Sequence, residues 1–133
     1  TDYSKLPEGS SHFKKILVVD DLLYIVKSIS RILKEEGYFV ITAKTGKEAF
    51  TKYLHYSPDI MTVDQNLPDM KGYHLVEKIR KEKKDNNTKI IFISGVDDRE
   101  EIRNILNLGV THYLVKPFKK DKLIEVIHTL GVK

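Results

Sequence analysis

The sequence predicts an α/β fold in which five parallel strands form one doubly wound sheet with five helices on its two faces. Strand-like and helix-like segments alternate five times along 133 residues, about the length of one domain. The strand-like segments are short, apolar and rich in β-branched residues, as is typical of strands buried on both faces of a parallel sheet. Four of them end in a polar residue, which places these polar groups at one edge of the sheet.

The first two predicted strands are each followed by an amphipathic helix. The apolar run at residues 16–19 ends at Asp20 and Asp21, and the segment after it repeats apolar residues at helical spacing. A second strand is predicted at residues 38–42, and a second helix begins at a capping-box spacing that starts at Thr45. The first helix has Leu22, Val26, Ile29 and Leu33 on one face, and the second carries Ala49, Phe50, Tyr53 and Leu54.

The middle of the chain repeats the same alternation. A third strand at residues 60–63 ends at Asp64, and Gly72 marks the entry to a helix after the intervening loop. This helix carries apolar residues at helical spacing and ends in a basic, amide-rich run. A fourth strand is predicted at residues 89–93 and is followed directly by Ser94.

The last third of the chain supplies the remaining two helices and one strand. Asp97 has the position of a helix cap, and Gly109 has the position of a helix stop. The fifth strand is predicted near His112–Val115 and leads to Lys116, and the last helix is predicted at residues 119–130. Their inward positions are Ile102, Ile105 and Leu106, then Leu123, Val126, Ile127 and Leu130.

The composition excludes several classes of function. The chain has no cysteine, which rules out disulfides, thiolate zinc sites and cysteine nucleophiles and is compatible with the cytoplasm, where we expect the protein. No apolar run approaches the ~20 residues that a membrane-spanning helix requires. The net charge of +4 is a mild bias, and we expect no direct binding to nucleic acid.

The polar residues at the strand ends describe a cation site. Taken singly, each has an ordinary interpretation as a helix cap, a turn residue or a solvated loop residue. Their convergence changes that interpretation, because clustered carboxylates repel one another unless a cation lies between them. Mg²⁺ takes oxygen ligands and usually binds one or two carboxylates. We expect Asp21 and Asp64 to bind it directly, Asp20 to bind it through water, and the backbone carbonyl of Asn66 to be a further ligand.

The same edge has the groups needed to accept a phosphoryl group. An aspartate such as Asp64 can attack phosphorus and become an acyl phosphate. Positive charge near the equatorial oxygens assists that transfer, and Mg²⁺ and the Lys116 ammonium would supply it. The Ser94 hydroxyl and the Gly95 N–H can donate hydrogen bonds to the same oxygens. Nothing in the pattern resembles a base positioned for steady turnover.

These residues resemble the receiver domain of bacterial two-component response regulators, the chemotaxis-regulator-like family. The signatures are Asp20-Asp21, then Asp64, Pro68 and Gly72, then Ser94-Gly95, and finally Lys116-Pro117-Phe118. The resemblance covers about residues 14–131 and implies a flavodoxin-like fold with strand order 2-1-3-4-5. We therefore expect a receiver domain at residues 14–133, preceded by a flexible lead-in at residues 1–13.

The resemblance also implies the roles of individual residues. Asp64 would be the phospho-acceptor, served by a histidine kinase or a histidine phosphotransfer protein. Ser94 and Tyr113 would be the switch pair, in which the hydroxyl moves toward the new phosphoryl group and the ring packs inward behind it. Outside this family, Tyr113 is more simply an ordinary half-buried strand aromatic. The bond between Lys116 and Pro117 is expected to be cis, so Pro117 has a structural role.

The chain departs from the family pattern at a few positions. Leu67 stands where methionine is common, and Lys71 stands where aspartate is common; neither is part of the expected chemistry. Asn66 and Val96 lie two residues beyond Asp64 and Ser94, where the family tunes the lifetime of the phosphoryl group through water access. Because apolar Val96 cannot orient a water, we expect only modest self-dephosphorylation.

Other functions stay open as alternatives. A haloacid-dehalogenase-like phosphohydrolase also uses a strand-end aspartate, but it needs a second aspartate where this chain has Asn66. A flavodoxin-like binder is disfavoured, because two carboxylates after the first strand would repel the phosphate of its ligand. The basic cluster at residues 78–84 and the lysines at 119, 120 and 122 would suit nucleic acid but are more simply solvated helix ends. The histidines lack ligand spacing, so no metal role is assigned to His12, His55, His74, His112 and His128.

The last predicted helix bears on how the domain is used. Residues 119–130 lack the arginine-and-acid pattern that resembles the dimerising transcription-factor branch of the family. We therefore expect a monomeric, stand-alone receiver, with a phosphorelay intermediate as one form of it and an unidentified downstream effector protein. A receiver fragment of a larger regulator is the open alternative.

Overall fold

The sheet and its helices follow the predicted alternation along the part of the chain that the computed structural model describes, residues 14–95, 99–110 and 112–130. The strands are β1 (Lys15–Val19), β2 (Phe39–Ala43), β3 (Ile60–Val63), β4 (Lys89–Ser94) and β5 (His112–Val115). The helices are α1 (Leu23–Glu35), α2 (Gly46–Tyr56), α3 (Gly72–Glu77), α4 (Arg99–Leu106) and α5 (Lys120–Thr129). All strands pair in parallel, in the order β2-β1-β3-β4-β5, which confirms the predicted topology.

Pairing between strands sets their ends more sharply than hydropathy does. β2 ends at Ala43, opposite Val19 at the end of β1, so the second strand lies one residue later than the predicted 38–42. β4 extends to Ser94 because this residue pairs with Val115 of β5. Ser94 is therefore the last residue of a strand, and its carbonyl oxygen accepts a hydrogen bond from the Lys116 N–H at 2.9 Å.

The sheet is covered by helices on both faces. Alternate residues of a strand point to opposite faces, so Leu17 and Phe92 pack against α2, α3 and α4, while Ile16 and Ile91 pack against α1 and α5. These four side chains are fully buried, and each such burial contributes about 1.5–3 kcal/mol to folding. The two buried faces explain why the strands are nearly continuous apolar runs in the sequence.

The capping-box prediction for α2 is confirmed at its first bond. The Thr45 hydroxyl accepts a hydrogen bond from the Glu48 N–H at 3.0 Å. The Glu48 carboxylate reaches one residue further back than a capping box requires and accepts from the Lys44 N–H at 2.7 Å. Both contacts satisfy N–H groups near the start of the helix.

The basic run after α3 is only partly solvated. A π-helical segment, Lys78–Glu82, continues α3, and Arg80 within it is buried. Its guanidinium donates to the carbonyl oxygens of Leu108 at 2.8 Å, Gly109 at 3.3 Å and Asp85 at 2.9 Å. The expectation that the whole cluster at residues 78–84 is solvated is therefore wrong at Arg80, because these carbonyls replace the water that its charge would otherwise bind.

Several expectations concern residues outside the described ranges: the lead-in at residues 1–13, the cap at Asp97 and the role of Val96. Within the described ranges, α4 does end before Gly109, as predicted. None of the helices described here is both long enough and apolar enough to cross a membrane.

Candidate functional site

The carboxyl ends of four strands bring the expected polar residues to one edge of the sheet. Asp20 follows β1, Asp64 follows β3, Ser94 ends β4 and Lys116 follows β5. The Asp20 N–H donates to the Ala43 carbonyl, and further such bonds run from Asp64 to Val19 and from Lys116 to Ser94. The sheet therefore holds the backbone of each site residue in register.

The aspartates form a compact cluster. One carboxylate oxygen each from Asp20, Asp21 and Asp64 can be chosen so that all three lie within 4.8 Å of one another. Asp20 is 2% exposed and Asp64 is 6% exposed, whereas Asp21 faces solvent. The cluster thus has two buried carboxylates and one at its mouth, which leaves a path for a hydrated ion.

Lys116 is the cation nearest to this cluster among the described residues. Its ammonium lies 2.5 Å from Asp20 Oδ2 and 3.7 Å from Asp64 Oδ1, and its side chain is only 14% exposed. The simple interpretation of Lys116 as a solvated loop lysine is therefore wrong. Lys116 is therefore a largely buried part of this cluster, in contact with the carboxylates that follow β1 and β3.

Asp20 does not cap α1 in the usual way. Its Oδ1 accepts a hydrogen bond from the Leu22 N–H at 2.9 Å, while Oδ2 is taken by Lys116. Leu22 itself is the N-cap residue of α1 and makes no side-chain cap bond. Each oxygen of the Asp20 carboxylate thus has a partner within the protein.

The electrostatic environment of Asp64 raises the pKa of its carboxyl group. Burial is the main cause, and the neighbouring charge of Asp20 adds to it. The Lys116 charge and hydrogen bonds with the Ser94 side chain and the Asn66 N–H oppose the shift without cancelling it. The site thus brings three carboxylates and one ammonium together in a poorly solvated place, a situation that a bound cation would relieve.

The donor set fits Mg²⁺. Carboxylate oxygens are hard ligands, three of them lie within reach of one ion, and the exposed side leaves room for the waters that Mg²⁺ retains. Within the described ranges, no other group of three or more histidine, aspartate or glutamate side chains is gathered closely enough to hold a metal ion.

Asn66 lies at the exposed start of the loop that follows Asp64. Its side-chain oxygen accepts a hydrogen bond from the Lys71 ammonium at 2.9 Å, and the two residues form an isolated antiparallel bridge. The bridge closes the loop on itself. It leaves Lys71, which departs from the family pattern, next to a residue expected to influence the site.

Ser94 and Tyr113, the expected switch pair, lie on neighbouring strands. Ser94 is fully buried and its side chain is hydrogen-bonded to the Asp64 carboxylate. The Tyr113 ring is half-buried and stacks on Phe92, with planes 2° apart and centroids separated by 6.2 Å. The bond between Lys116 and Pro117 is cis, as predicted.

Two residues that sequence reasoning missed hold the loop after Asp64. Gln65 is buried and bonds to the start of α3 and to α4. Asp69 accepts hydrogen bonds from the N–H groups of Gly46 at 2.8 Å and Lys47 at 2.9 Å, so it caps α2 from a distant loop. Neither contact has a local sequence signal, because each joins residues more than seven positions apart.

The sequence matches a known family along most of its length. A family model described as the response regulator receiver domain matches residues 16–128. The chemotaxis protein CheY of Treponema pallidum is 38% identical over 124 residues, covering 91% of this chain and 83% of that protein. The cell cycle response regulator CtrA of Brucella ovis is 36% identical over 116 residues, covering 87% of this chain but only 49% of CtrA. The chain thus spans about half the length of the CtrA regulators.

Solved structures share the same architecture. The chemotaxis protein CheY4 of Vibrio cholerae superposes with a TM-score of 0.82 at 31% identity, covering 88% of this chain and 98% of that one. A chain of the CheX-CheY-BeF3-Mg+2 complex from Borrelia burgdorferi superposes with a TM-score of 0.83 at 31% identity, covering 90% of each chain. Both have the fold described above.

Proposed function

The chain belongs to the family of response regulator receiver domains, the phosphorylated signalling switches of two-component systems, and we propose that Asp64 is its phospho-acceptor. One observation carries this assignment. Asp64 is the carboxylate that lies among all the other candidate groups, beside the Asp20 charge, 3.7 Å from the Lys116 ammonium and hydrogen-bonded with Ser94. No other carboxylate in the described part of the chain has these neighbours together.

The proposed reaction moves a phosphoryl group from a histidine of a donor protein to Asp64. A carboxylate oxygen of Asp64 forms a bond to phosphorus while the bond from phosphorus to the imidazole nitrogen breaks. The electron pair of that bond returns to the imidazole, which leaves as a neutral ring if its other nitrogen was protonated. The Lys116 ammonium, the Ser94 hydroxyl and the Gly95 N–H would stabilise the charge on the equatorial oxygens.

We assign the Mg²⁺ ligands as Asp21 and Asp64, with Asp20 binding through water and the backbone carbonyl of Asn66 completing the protein ligands. Bound Mg²⁺ would supply positive charge to the transferring phosphoryl group. Two features support direct binding by Asp21 and binding through water by Asp20. The Asp20 oxygens already have partners in Leu22 and Lys116, while Asp21 is exposed.

The output of the switch is proposed to run through Ser94 and Tyr113. A phosphoryl group on Asp64 would draw the Ser94 hydroxyl toward its oxygens and away from the carboxylate contact that it makes in the present structure. Tyr113 would then pack further inward from its half-buried place against Phe92. The resulting change on the β5 side would alter partner binding.

Reversal is proposed to be slow. No described side chain at the site is placed as a base for hydrolysis, so the domain would catalyse its own phosphorylation and only modest self-dephosphorylation. Asn66 and Val96 are the proposed lifetime-tuning positions. The exposed Asn66 amide is already held by Lys71, which limits its freedom to orient a water.

The partners follow from this chemistry. We propose a histidine kinase or a histidine phosphotransfer protein as the donor and an effector protein as the receiver of the signal, with the domain acting as a cytoplasmic monomer that makes no direct contact with nucleic acid. Because the chain spans only half of the CtrA regulators, any further activity of a longer regulator is a separate question.

Incubation with acetyl phosphate and Mg²⁺, followed by intact mass measurement, tests the assignment. The wild-type protein should gain one phosphoryl group, and removal of Mg²⁺ with a chelator should abolish the gain. Asp64→Asn should gain none, whereas the matched control Asp121→Asn, at an exposed position in α5, should behave as wild type. Phosphoryl mass that persists in Asp64→Asn would disprove the assignment.

A further inference from the structure

Gln65, the buried residue after Asp64, bonds to the first turns of two helices, α3 and α4. Its side chain is almost inaccessible, at 2% exposure for the residue. Its backbone carbonyl accepts from the Gly72 N–H at 2.8 Å, and its side-chain oxygen accepts from the Tyr73 N–H at 2.8 Å. Its side-chain nitrogen donates to the Glu101 carboxylate. Gln65 thus supplies the N-terminal cap that Lys71, the N-cap residue of α3, does not make with its own side chain.

The bond to Glu101 matters because α4 is weakly anchored by apolar packing. Ile105 is the one fully buried residue of this helix. Past the far end of the helix, Leu108 and Gly109 offer their carbonyl oxygens to Arg80. Polar contacts at its two ends therefore hold α4 as much as its single buried side chain does, and an element of this kind shifts at low cost once a contact is lost.

The first turn of α4 is also closely tied to the phosphoryl-binding groups. β4 ends at Ser94 and α4 begins at Arg99, so a short connection that includes Gly95 joins the two. A backbone displacement of Ser94 and Gly95 toward a phosphoryl group would act on the chain only a few residues before the start of α4. Glu101 lies in that first turn and is held by the residue adjacent to the phospho-acceptor.

We propose that Gln65 is a positioning residue for phosphorylation: its hydrogen bond to Glu101 holds the first turn of α4 in the unphosphorylated arrangement and so restrains the approach of Ser94 and Gly95 to the phosphoryl group. The proposal rests on Asp64 being the phospho-acceptor. On this proposal, the position of α4 and the reactivity of Asp64 both depend on the hydrogen bond between Gln65 and Glu101.

Three variants at neighbouring positions separate this role from a general effect on the helix. Glu101→Ala removes the acceptor, Glu101→Gln keeps an acceptor oxygen without the charge, and Glu100→Ala removes an exposed carboxylate from the same turn. Loss of one hydrogen bond from the restrained arrangement should raise the rate of phosphorylation by acetyl phosphate about two- to tenfold in Glu101→Ala. Glu101→Gln should raise the rate less than Glu101→Ala does, because a neutral hydrogen bond replaces the stronger one to the carboxylate, and Glu100→Ala should keep the wild-type rate.

Hydrogen exchange of the α4 amides, measured without phosphodonor, gives the second readout. It should become faster in Glu101→Ala, by a smaller factor in Glu101→Gln, and stay unchanged in Glu100→Ala. An unchanged or lower phosphorylation rate in Glu101→Ala would overturn the positioning role, even if exchange became faster. Failure of the wild-type protein to be phosphorylated at Asp64 would instead overturn the proposed function, so the two failures are distinguishable.

Discussion

Lys116 shows how a single side chain is fixed by its charge environment. Its ammonium contacts the carboxylates of Asp20 and Asp64, and its backbone N–H donates to Ser94. A lysine held in this way would lose little further side-chain entropy in the phosphoryl-binding role proposed for it. If that role holds, the site is preorganised for charge that develops during transfer.

Gly72, the first residue of α3, lies where the backbone after Asp64 leaves no room for a side chain. A Cβ built there would lie 2.4 Å from the Asp64 carbonyl oxygen and 2.9 Å from Val63 Cγ1. At Gly46, by contrast, the nearest atom to a Cβ is the flexible Met70 thioether sulfur at 2.4 Å, which can move aside. The Asp64 carbonyl oxygen near Gly72 belongs to the backbone and cannot move aside in this way.

We predict that Gly72→Ala is clearly more destabilising than Gly46→Ala. The expected loss for Gly72→Ala is about 2 kcal/mol or more, since overpacking against backbone costs roughly 1–3 kcal/mol. Its phosphorylation should also slow, because the clash displaces Asp64. Urea unfolding of both variants checks the order, and equal losses would contradict the argument.

At the scale of secondary-structure elements, the sequence predicts whether a segment is a helix or a strand better than it predicts where the segment ends or which distant residues it contacts. Strands and helices were predicted because apolar spacing reports which faces are buried. The sequence did not predict the π-helical continuation of α3. Arg80, which lies in this segment, bonds to the Gly109 carbonyl, and no local pattern reports a contact between such distant residues. The contacts of Gln65 escaped prediction for the same reason.

Asp85 stabilises the connection between the π-helical segment and β4. Burial alone would raise the pKa of this carboxyl, but hydrogen bonds from Thr88, Tyr53 and Asn87 outweigh it and hold the pKa well below its usual range. Two of these bonds are short, at 2.6 Å from the Thr88 and Tyr53 hydroxyl groups. The charged form of Asp85 is therefore favoured in the folded state.

We predict that Asp85→Asn lowers stability at neutral pH and has less effect in acid. Because the folded pKa is depressed, the contribution of Asp85 is present above its unfolded pKa of about 3.9 and is lost as the pH falls through the folded pKa. Hydrogen bonds to a charged group are worth about 1.5–3 kcal/mol, which sets the expected loss at pH 7. Urea unfolding at pH 7 and pH 3 measures it. A difference between wild type and variant that does not shrink at pH 3 would contradict this assignment, and exposed Asp121→Asn serves as the control.

At the scale of the whole molecule, the strand order assembles the site. β1 and β3 are neighbours at the centre of the sheet, which brings the carboxylates of Asp20 and Asp64 together, and β4 and β5 continue the same edge. This convergence was predictable from the sequence because parallel strands share one carboxyl edge. The partners of each group were not: Asp20 and Lys116 are 96 residues apart, and their pairing depends on side-chain geometry.

The distance along the chain between the ligands implies that the metal site exists only in the folded protein. A cation that binds the folded state alone raises stability by an amount that grows with its concentration, about 2.7 kcal/mol at a hundred times its Kd. We therefore predict that Mg²⁺ raises the Tm of the wild-type protein. Asp21→Asn and Asp64→Asn should reduce that rise, because each removes a carboxylate of the cluster.

The control for this prediction is Asp121→Asn, which removes the same charge from an exposed site on α5 and should keep the full Mg²⁺ response. The comparison separates specific binding from screening of surface charge, since screening depends on ionic strength and would act alike on all the variants. Thermal unfolding in MgCl₂ and in NaCl of equal ionic strength distinguishes the two. Equal Tm shifts in wild type, Asp21→Asn and Asp64→Asn would show that the three carboxylates do not form a metal site, and the charge at this edge would then be balanced by Lys116 alone among the described residues.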